Sequence, residues 1–337
     1  MGTPDFAVPS LKGLLEAGYD VVGVFTQPDR PKGRGNKLMP SPVKQVALEH
    51  QIPVFQPEKI RRDGVEDLRS LQPDLCVTAA FGQILSQEVL DIPKLGTVNV
   101  HASLLPKHRG SAPIAWAILQ GDEEIGVTTM MTSRGIDDGD MLLRFAMPRP
   151  KNATCGEMTE LLSVEGAKLL LDTVSRLEAG TLERIAQNEE EMTYDPMLKK
   201  EMGRIDWNEK SEAVVCRILG MNPWPACSVP YAEGRIKLLR AETVDESGDP
   251  GVILHADPAH GLVIGCGEGA VCITQMQAPG GKPMHSKDYL RGHTMHIGDC
   301  LQETAGDAGQ DRKRTNDGRQ QAFGSCKSGR KRQQQRT

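Results

Sequence analysis

Residues 97–106 read TVNVHASLLP, a short apolar run that ends in polar residues and a proline. Alternation along the run places Asn99 and His101 on the same side of a strand, because side chains two positions apart share a face. The pair lies at the end of the strand, and open parallel sheets bind ligands at this carboxyl edge. A solvated strand end would explain the same two residues, so the pair alone leaves both interpretations open.

Similar runs surround this one, and between them lie stretches with helical periodicity. The strand-like runs include residues 21–26 (VVGVFT), 75–80 (LCVTAA) and 127–132 (VTTMMT), and the helical stretches include 43–50, 114–120 and a long amphipathic segment at 157–179. Strands that alternate with helices favour parallel pairing. Residues 1–185 are therefore predicted to form an α/β domain.

The pattern changes in the second part of the chain. Residues 186–203 show no periodicity and are predicted to be a linker. Short β-like runs separated by Gly, Asp and Pro fill residues 204–302, which favours a small β-barrel or sandwich. Residues 303–337 are basic and rich in Gln, Gly and Arg, with one aromatic residue, Phe323. This tail cannot bury enough apolar surface to fold alone, so we expect disorder there.

Composition narrows the class of protein. Hydrophobic residues make up 38% of the 337 residues, enough for packed cores, and the formal net charge is −5, which argues against a general polyanion binder. The eight cysteines form no Cys-x-x-Cys pair, so neither structural zinc nor a disulfide framework is predicted. No apolar run is long enough to cross a bilayer, and no secretory signal opens the chain. We expect a cytoplasmic protein.

A second polar motif is the sequence GIDDGD at residues 135–140. Asp and Gly are common in turns for purely structural reasons, so this motif alone indicates little. Taken with Asn99 and His101, however, it adds a carboxylate to an amide and an imidazole at neighbouring strand ends. Such a set is suited to acyl transfer without a nucleophilic side chain.

The third motif is the loop at residues 27–42 (QPDRPKGRGNKLMPSP), which follows a predicted strand. Its positive charges can bind phosphate even on an acidic protein, although charge runs are more often simply solvated. Loops of this length between a strand and a helix are often functional. Neither a Gly-x-Gly-x-x-Gly nor a Walker pattern is present, which argues against a nucleotide site.

Several of these motifs together resemble the bacterial methionyl-tRNA formyltransferases, a family of folate-dependent formyltransferases. The matching segments are GTPDFA at 2–7, the loop at 27–42, residues 99–106, RGSAPI at 109–114, residues 136–141, RIDW at 204–207, NPWP at 222–225 and LRG at 290–292. The Asn-x-His and Ser-Leu-Leu-Pro segments would fit any folate formyltransferase. The basic loop and the second domain are what indicate the tRNA enzymes.

The resemblance implies a doubly wound, mainly parallel, Rossmann-like catalytic domain followed by an OB-like β-barrel that binds tRNA. It implies 10-formyltetrahydrofolate as co-substrate, methionyl initiator tRNA as acceptor and no metal. The family's catalytic residues correspond to Asn99, His101 and Asp137, rather than Asp138. Its folate-binding positions correspond to Ser103, Leu104, Leu105, Pro106, Phe81, Gly82, Gln83 and Ile84. The basic loop would contact the acceptor stem through Arg30, Lys32, Arg34 and Lys37, with Arg34 the most important. We expect a monomer.

The sequence departs from the family at both ends. The family has a short apolar strand before Gly-Thr-Pro, whereas here Met1 directly precedes Gly2. Because that strand would be central in the sheet, its loss predicts unpaired backbone groups and a gap in the core. The tail after residue 302 matches nothing in the family. It is predicted to be a disordered extension, and the alternative is an additional tRNA-binding arm.

Two other functions remain open at this stage. Another folate formyltransferase, acting on a ribonucleotide or an amino sugar, would not need the basic loop or the second domain. An RNA-binding protein that keeps the fold without the chemistry is the second alternative. The presence of Asn99, His101 and Asp137 argues against it.

Overall fold

The computed structural model describes residues 1–32, 37–232 and 234–302. The chain divides into two compact units, of which the first is Met1–Lys199 and the second begins at Lys200. The predicted tail at 303–337 and the tip of the basic loop at 33–36 lie outside the described ranges. Within those ranges, no helix is both long enough and apolar enough to cross a bilayer.

The first unit contains ten strands and seven helices in its described residues. The strands are β1 (Val24–Phe25), β2 (Arg30–Lys32), β3 (Lys37–Met39), β4 (Val54–Phe55), β5 (Cys76–Thr78), β6 (Thr97–His101), β7 (Arg109–Gly110), β8 (Glu124–Met131), β9 (Met141–Pro148) and β10 (Tyr194–Asp195). The helices are α1 (Val8–Glu16), α2 (Pro42–Glu49), α3 (Ile60–Asp63), α4 (Val65–Leu71), α5 (Gln87–Leu90), α6 (Pro113–Leu119) and α7 (Cys155–Glu178). Short 3-10 helices lie at Asp5–Ala7 and Glu189–Glu191.

The central strands form a mixed sheet. β1 pairs with β4 and β5 pairs with β6 in parallel, as the alternation of strands and helices predicted. The prediction of parallel pairing was wrong for β8, which runs antiparallel to β6, and β9 then runs antiparallel to β8. The connection from β6 through α6 does not return along the sheet, so β8 starts near the carboxyl end of β6. A sequence pattern of alternating elements does not reveal that direction.

Met1 and Gly2 lie between β1 and β5. The Gly2 amide donates to the Phe25 carbonyl at 3.0 Å, and the Met1 carbonyl accepts from the Ala79 amide at 3.0 Å. The α-amine of Met1 donates to the Val77 carbonyl at 2.7 Å, and burial lowers the pKa of this amine. A cavity of about 390 Å³ is lined by residues 21–25 and 72–77 among others.

Helix α7 supports the sheet beneath the candidate site. It begins with a capping box in which the Thr154 hydroxyl accepts from the Glu157 amide and the Glu157 carboxylate accepts from the Thr154 amide. A Cβ at Gly166 would lie 3.0 Å from the side chain of Val100 in β6, so glycine lets the helix approach the strand closely. Because side chains alternate along a strand, Asn99 and His101 point to the face opposite α7.

The face of the sheet away from α7 is packed by short helices. Phe25 of β1 and Cys76 of β5 share a buried cluster with residues of α3, α4 and α5, and that cluster also contains Phe81, Leu85 and Val89. Helices therefore cover the sheet on two sides, which is the layered arrangement expected of a doubly wound α/β domain.

Two segments that the sequence predicted as irregular have regular structure. The basic loop contains an antiparallel hairpin of β2 and β3. In the predicted linker at 186–203, β10 pairs in parallel with β7, so this part of the segment belongs to the first unit. Both pairings are made by backbone groups, and a search for side-chain periodicity does not detect them.

The second unit contains a six-stranded antiparallel sheet. Its strands are β11 (Cys227–Tyr231), β12 (Gly234–Val244), β13 (Ile253–Asp257), β14 (Gly261–Gly265), β15 (Ala270–Gln277) and β16 (Met284–His285), with helices α8 (Ser211–Gly220) and α9 (Ser286–Gly292) and a 3-10 helix at Lys200–Gly203. The strand order is β11-β12-β15-β14-β13, with β16 beside β15. Within residues 200–232 and 234–302, β11 and β13 do not pair, so the closed OB-like barrel is not confirmed.

Candidate active site

Asn99 is positioned by the pairing of β5 with β6. Thr78 lies directly opposite Asn99 in the parallel register, and its hydroxyl donates to Oδ1 of Asn99 at 2.8 Å. Because the amide oxygen receives this hydrogen bond, the amide NH₂ group faces the other way. It lies 3.4 Å from Oδ1 of Asp137. The Asn99 amide is therefore held with its donor side toward the centre of the site.

His101 ends β6 and has only 6% of its surface exposed. Its Nε2 lies 2.8 Å from the carbonyl oxygen of His108. A carbonyl can only accept, so Nε2 carries a proton and donates. The other ring nitrogen, Nδ1, lies 3.7 Å from Oδ2 of Asp137. Nδ1 is therefore the nitrogen that can exchange a proton in the site.

Asp137 lies in the turn between β8 and β9. This turn begins beside Thr97, at the amino end of β6. It extends along the strand far enough to place Asp137 next to Asn99 and His101. The backbone of Asp137 is left-handed, with φ +50°, a conformation that aspartate tolerates better than most residues. Its Oδ2 accepts from the Gly110 amide at 2.9 Å, which fixes the carboxylate.

The neighbouring Asp138 has a different environment. It is exposed, and it accepts a hydrogen bond from the Ser133 hydroxyl within the same turn. The structure thus brings together Asn99, His101 and Asp137, the three residues chosen from the sequence, and leaves Asp138 at the surface of the turn.

Several residues that support the site were missed in the sequence. Gln187 donates from Nε2 to the carbonyls of Asp137 and Gly139, both at 2.8 Å. The Arg109 side chain is buried and donates from Nε to Oε1 of Gln187 at 2.9 Å. It also forms two hydrogen bonds to Glu189, and these lower the pKa of that carboxyl. Gln187 lies in the predicted linker, where no pattern indicated it.

The sequence did contain a signal for Thr78. It is a polar residue near the end of the apolar run LCVTAA, which was predicted to be a strand. Threonine also fits strands well for its shape alone, so its role appears only once the register is known.

The predicted folate residues differ in accessibility. Ser103 and Leu105 are buried, and the Ser103 hydroxyl donates to the Lys107 carbonyl at 2.7 Å. Pro106 and Phe81 are also buried. The Gln83 side chain accepts from the Ile60 amide at 2.6 Å and donates to the Pro57 carbonyl at 2.9 Å, so it holds the start of α3. The accessible members of the set are Gly82, Ile84 and, in part, Leu104.

The basic loop is anchored at its base. Lys44 of α2 pairs with Asp29 at 2.7 Å, and Gln56 donates to the same carboxylate at 2.8 Å. The hydrogen bond from Lys44 is the main reason that the pKa of Asp29 is lowered. Arg30 is exposed at the start of the hairpin, and Leu38 and Met39 are exposed on its return strand. Arg34 lies outside the described residues, as do the side chains of Lys32 and Lys37.

A separate group of side chains has metal-ligand spacing. His255 and Asp257 lie in β13 and His260 lies in the turn to β14, with their ligand atoms within 4.8 Å of one another. Both imidazoles already contact carboxylates, His255 at Glu246 and His260 at Asp257. These contacts satisfy the cluster without an ion.

Comparison with known sequences defines the class of protein. The formyl transferase pattern matches residues 1–174, and the formyl transferase C-terminal domain pattern matches residues 197–294. Because these matches cover more than half of the chain, the protein belongs to the formyl transferase family.

Several curated proteins with similar sequences are named methionyl-tRNA formyltransferase. The methionyl-tRNA formyltransferase of Clostridium novyi is 42% identical over 305 residues, which cover 89% of this chain and 98% of the relative. The methionyl-tRNA formyltransferase of Geobacter sulfurreducens is 45% identical over 305 residues, which cover 90% of this chain and 96% of the relative.

Solved structures show the same fold at lower identity. An N-formyltransferase from Helicobacter canadensis, in complex with folinic acid and dTDP-3-aminofucose, superposes with a TM-score of 0.62 at 20% identity, covering 80% of this chain and 95% of that one. HypX from Aquifex aeolicus, in complex with tetrahydrofolic acid, gives a TM-score of 0.52 at 24% identity, covering 72% of this chain and 43% of that one.

The contact from Thr78 to Asn99 gives a first testable prediction. Thr78→Val keeps the side-chain shape but removes the hydroxyl that orients the amide. We expect the rate of formyl transfer to fall by about tenfold, the effect of one ordinary hydrogen bond. Thr132→Val is the matched control, since the Thr132 hydroxyl is buried without a hydrogen-bond partner in the described residues. Steady-state kinetics of both variants would test this, and equal rates would contradict it.

Proposed function

We propose that the protein transfers a formyl group from 10-formyltetrahydrofolate to the α-amine of methionyl initiator tRNA. The observation that carries this proposal is the meeting of an amide, an imidazole and a carboxylate, with Asp137 lying 3.4 Å from Asn99 and 3.7 Å from His101. The names of the relatives, whose sequences align with almost all of the described chain, support the same acceptor.

The chemistry requires stabilisation of an oxyanion. The unprotonated amine of the acceptor attacks the formyl carbon, and negative charge develops on the formyl oxygen. The NH₂ group of Asn99 donates to this oxygen, and a protonated His101 adds a charge-assisted hydrogen bond. Both donors are fixed before the substrate arrives, Asn99 by Thr78 and His101 by the His108 carbonyl. Preorganised donors of this kind need no rearrangement as the charge forms.

Asp137 completes the proton transfers. Its Oδ2 lies 3.7 Å from Nδ1 of His101, so the carboxylate orients the ring. It also accepts the proton that the attacking amine must lose, which then passes to the departing folate nitrogen. The substrate amine is itself the nucleophile, so the reaction needs no covalent enzyme intermediate and no metal.

The folate co-substrate would lie at the rim of the sheet beside these residues. Ile84 and Ile136 expose 64% and 52% of their surfaces, and Ile136 directly precedes Asp137. Exposed apolar side chains next to a polar centre suit a flat ring system with a reactive polar group. Gly82, two residues before Ile84, is also exposed. Buried Leu105, Pro106, Ser103 and Phe81 would shape this pocket from beneath.

The acceptor tRNA would contact the β2–β3 hairpin and the second unit. The hairpin sequence carries Arg30, Lys32, Arg34 and Lys37, and its base is held by the Lys44–Asp29 ion pair. Cations on a projecting hairpin are suited to the phosphates of an acceptor stem. The antiparallel sheet of the second unit would act as an OB-like platform for the same tRNA. We expect the enzyme to work as a cytoplasmic monomer.

The choice of acceptor can be tested directly. The full chain would be incubated with 10-formyltetrahydrofolate and, in parallel, methionyl initiator tRNA, methionyl elongator tRNA, free amino acids, nucleotide-linked amino sugars and amine-bearing ribonucleotides. We expect formylation of the initiator tRNA, because only a tRNA uses the basic hairpin and the second unit. Preference for an amino sugar or a ribonucleotide would contradict the proposal, and no transfer to any acceptor would favour a non-enzymatic RNA-binding role.

The role of Asp137 can be separated from that of its neighbour. Asp137→Asn retains a side chain that tolerates the left-handed backbone but removes the charge. We expect turnover to fall about 100- to 1,000-fold, as for loss of a group that stabilises the transition state, with tRNA affinity nearly unchanged. Asp138→Asn, the matched control in the same turn, should keep its activity. Asn99→Ala and His101→Ala should behave like Asp137→Asn, and normal turnover in any two of the three would refute the mechanism.

The role of the hairpin predicts an effect on salt dependence. Arg30→Ala and Arg34→Ala should each weaken tRNA use and lower the slope of log affinity against log salt by about 1, the value for one phosphate contact. Arg61→Ala is a control with the same change in charge at an exposed position on α3. Filter binding at several salt concentrations would measure the slopes. Slopes that match the unaltered protein would exclude the hairpin as the phosphate contact.

A further inference from the structure

A buried cluster of ionisable groups lies directly behind His101. The His108 side chain is only 4% exposed, its Nδ1 lies 2.7 Å from Oδ2 of Asp195, and its Nε2 lies 2.9 Å from Oδ2 of Asp122. Each nitrogen of the ring therefore has a carboxylate oxygen within hydrogen-bond distance. Burial raises the pKa of Asp195, and the ring of His108 opposes that shift. None of these three side chains has a part in the proposed chemistry.

The backbone around His108 holds two of the three proposed catalytic side chains. The His108 carbonyl accepts from Nε2 of His101 at 2.8 Å. Two residues further on, the Gly110 amide donates to Asp137 at 2.9 Å. A shift of this short segment would therefore move both groups that face the His101 ring, the His108 carbonyl and the Asp137 carboxylate.

The segment itself is fixed by the pairing of β7 with β10, by the side-chain bonds of Arg109 and by further bonds on both sides of the His108 ring. The Arg109 amide donates to the Thr193 carbonyl, and the His108 amide donates to the Thr193 hydroxyl. These bonds tie the segment to the strand that contains Asp195. Across the ring, Asp122 ties it to the turn between α6 and β8. The backbone of His108 is left-handed, with φ +61°, so the side-chain contacts hold a less common conformation.

We propose that His108 is a positioning residue whose ring, clamped between Asp122 and Asp195, sets the carbonyl that keeps Nε2 of His101 protonated. Nδ1 of His101 is then left facing Asp137, where the proton must be exchanged. Without the clamp, the carbonyl moves, both tautomers of His101 become populated, and only part of the protein is competent to react. The kinetic consequence rests on the proposed function, whereas the tautomer is a property of the folded protein alone.

The tautomer can be measured in the full chain without substrate. Nitrogen-15 NMR of labelled histidine rings, at a pH where the ring of His101 is neutral, distinguishes protonated Nε2 from protonated Nδ1, and His101→Gln assigns the signal. We expect protonated Nε2 in the unaltered protein and a mixture of tautomers in His108→Asn. Asparagine tolerates the left-handed backbone but cannot reach both carboxylates.

Variants of Asp122 keep the test decisive if His108→Asn does not fold. Asp122 is partly exposed in a turn, so Asp122→Ala removes one arm of the clamp with little change in the core. We expect the same shift in tautomer, with partial recovery in Asp122→Asn, whose amide oxygen can still accept. Glu123→Ala is the matched control, since this adjacent carboxylate does not contact His108. Folding of each variant would be checked by its thermal midpoint.

Kinetics supply the second measurement. We expect kcat to fall about 10- to 100-fold in His108→Asn and Asp122→Ala, as for a small misplacement of a catalytic group, while KM for the tRNA stays within about twofold. An unchanged His101 tautomer in the folded variants overturns the proposal, even if kcat falls, because the cluster would then be only structural. Absence of formyl transfer in the unaltered protein refutes the proposed function instead, and the NMR result still decides the role of His108.

Discussion

The hydrogen bond from the Gly110 amide to the Asp137 carboxylate directly joins two parts of the chain that are 27 positions apart in sequence. Asp137 belongs to the turn after an antiparallel strand, and Gly110 lies on a short strand between β6 and α6. At 2.9 Å, this bond directs the carboxylate toward His101. It depends in turn on β10, which pairs with β7 and fixes its place. The site therefore rests on backbone contacts as much as on its own side chains.

Each proposed catalytic side chain has a partner that binds one of its polar groups and leaves another available for the reaction. Thr78 occupies the oxygen of Asn99 and leaves the NH₂ group, and the His108 carbonyl occupies Nε2 of His101 and leaves Nδ1. Gln187 holds the backbone of the Asp137 turn and leaves the carboxylate unobstructed. Fixing the orientation in advance removes reorganisation from the reaction, which is the main way that a protein site stabilises developing charge.

The sequence was sufficient for the residues that obey a local rule. Asn99 and His101 were found because side chains two apart on a strand share a face, and the resemblance to a family selected Asp137. The predicted parallel direction of β8 was wrong. Strands that alternate with helices favour parallel pairing, but the connection from β6 to β8 does not return along the sheet. Gly110 and Gln187 were missed because their contacts with Asp137 span 27 and 50 positions of sequence. His108 was missed because its contact with His101 is made by a backbone carbonyl, which has no sequence signature. The β2–β3 hairpin in the basic loop was also missed because its pairing is made by backbone atoms.

The contact between Thr78 and Asn99 also affects which small molecules could block the site. With its oxygen already bound by Thr78, the Asn99 amide offers only N–H donors to a ligand in the site. An inhibitor that carries a compact, electron-rich group such as a phosphonate or a sulfonyl would match this arrangement. A compound that presents only an N–H at that point would leave the Asn99 amide without an acceptor. Selectivity among candidate inhibitors would then follow from the polarity of a single substituent.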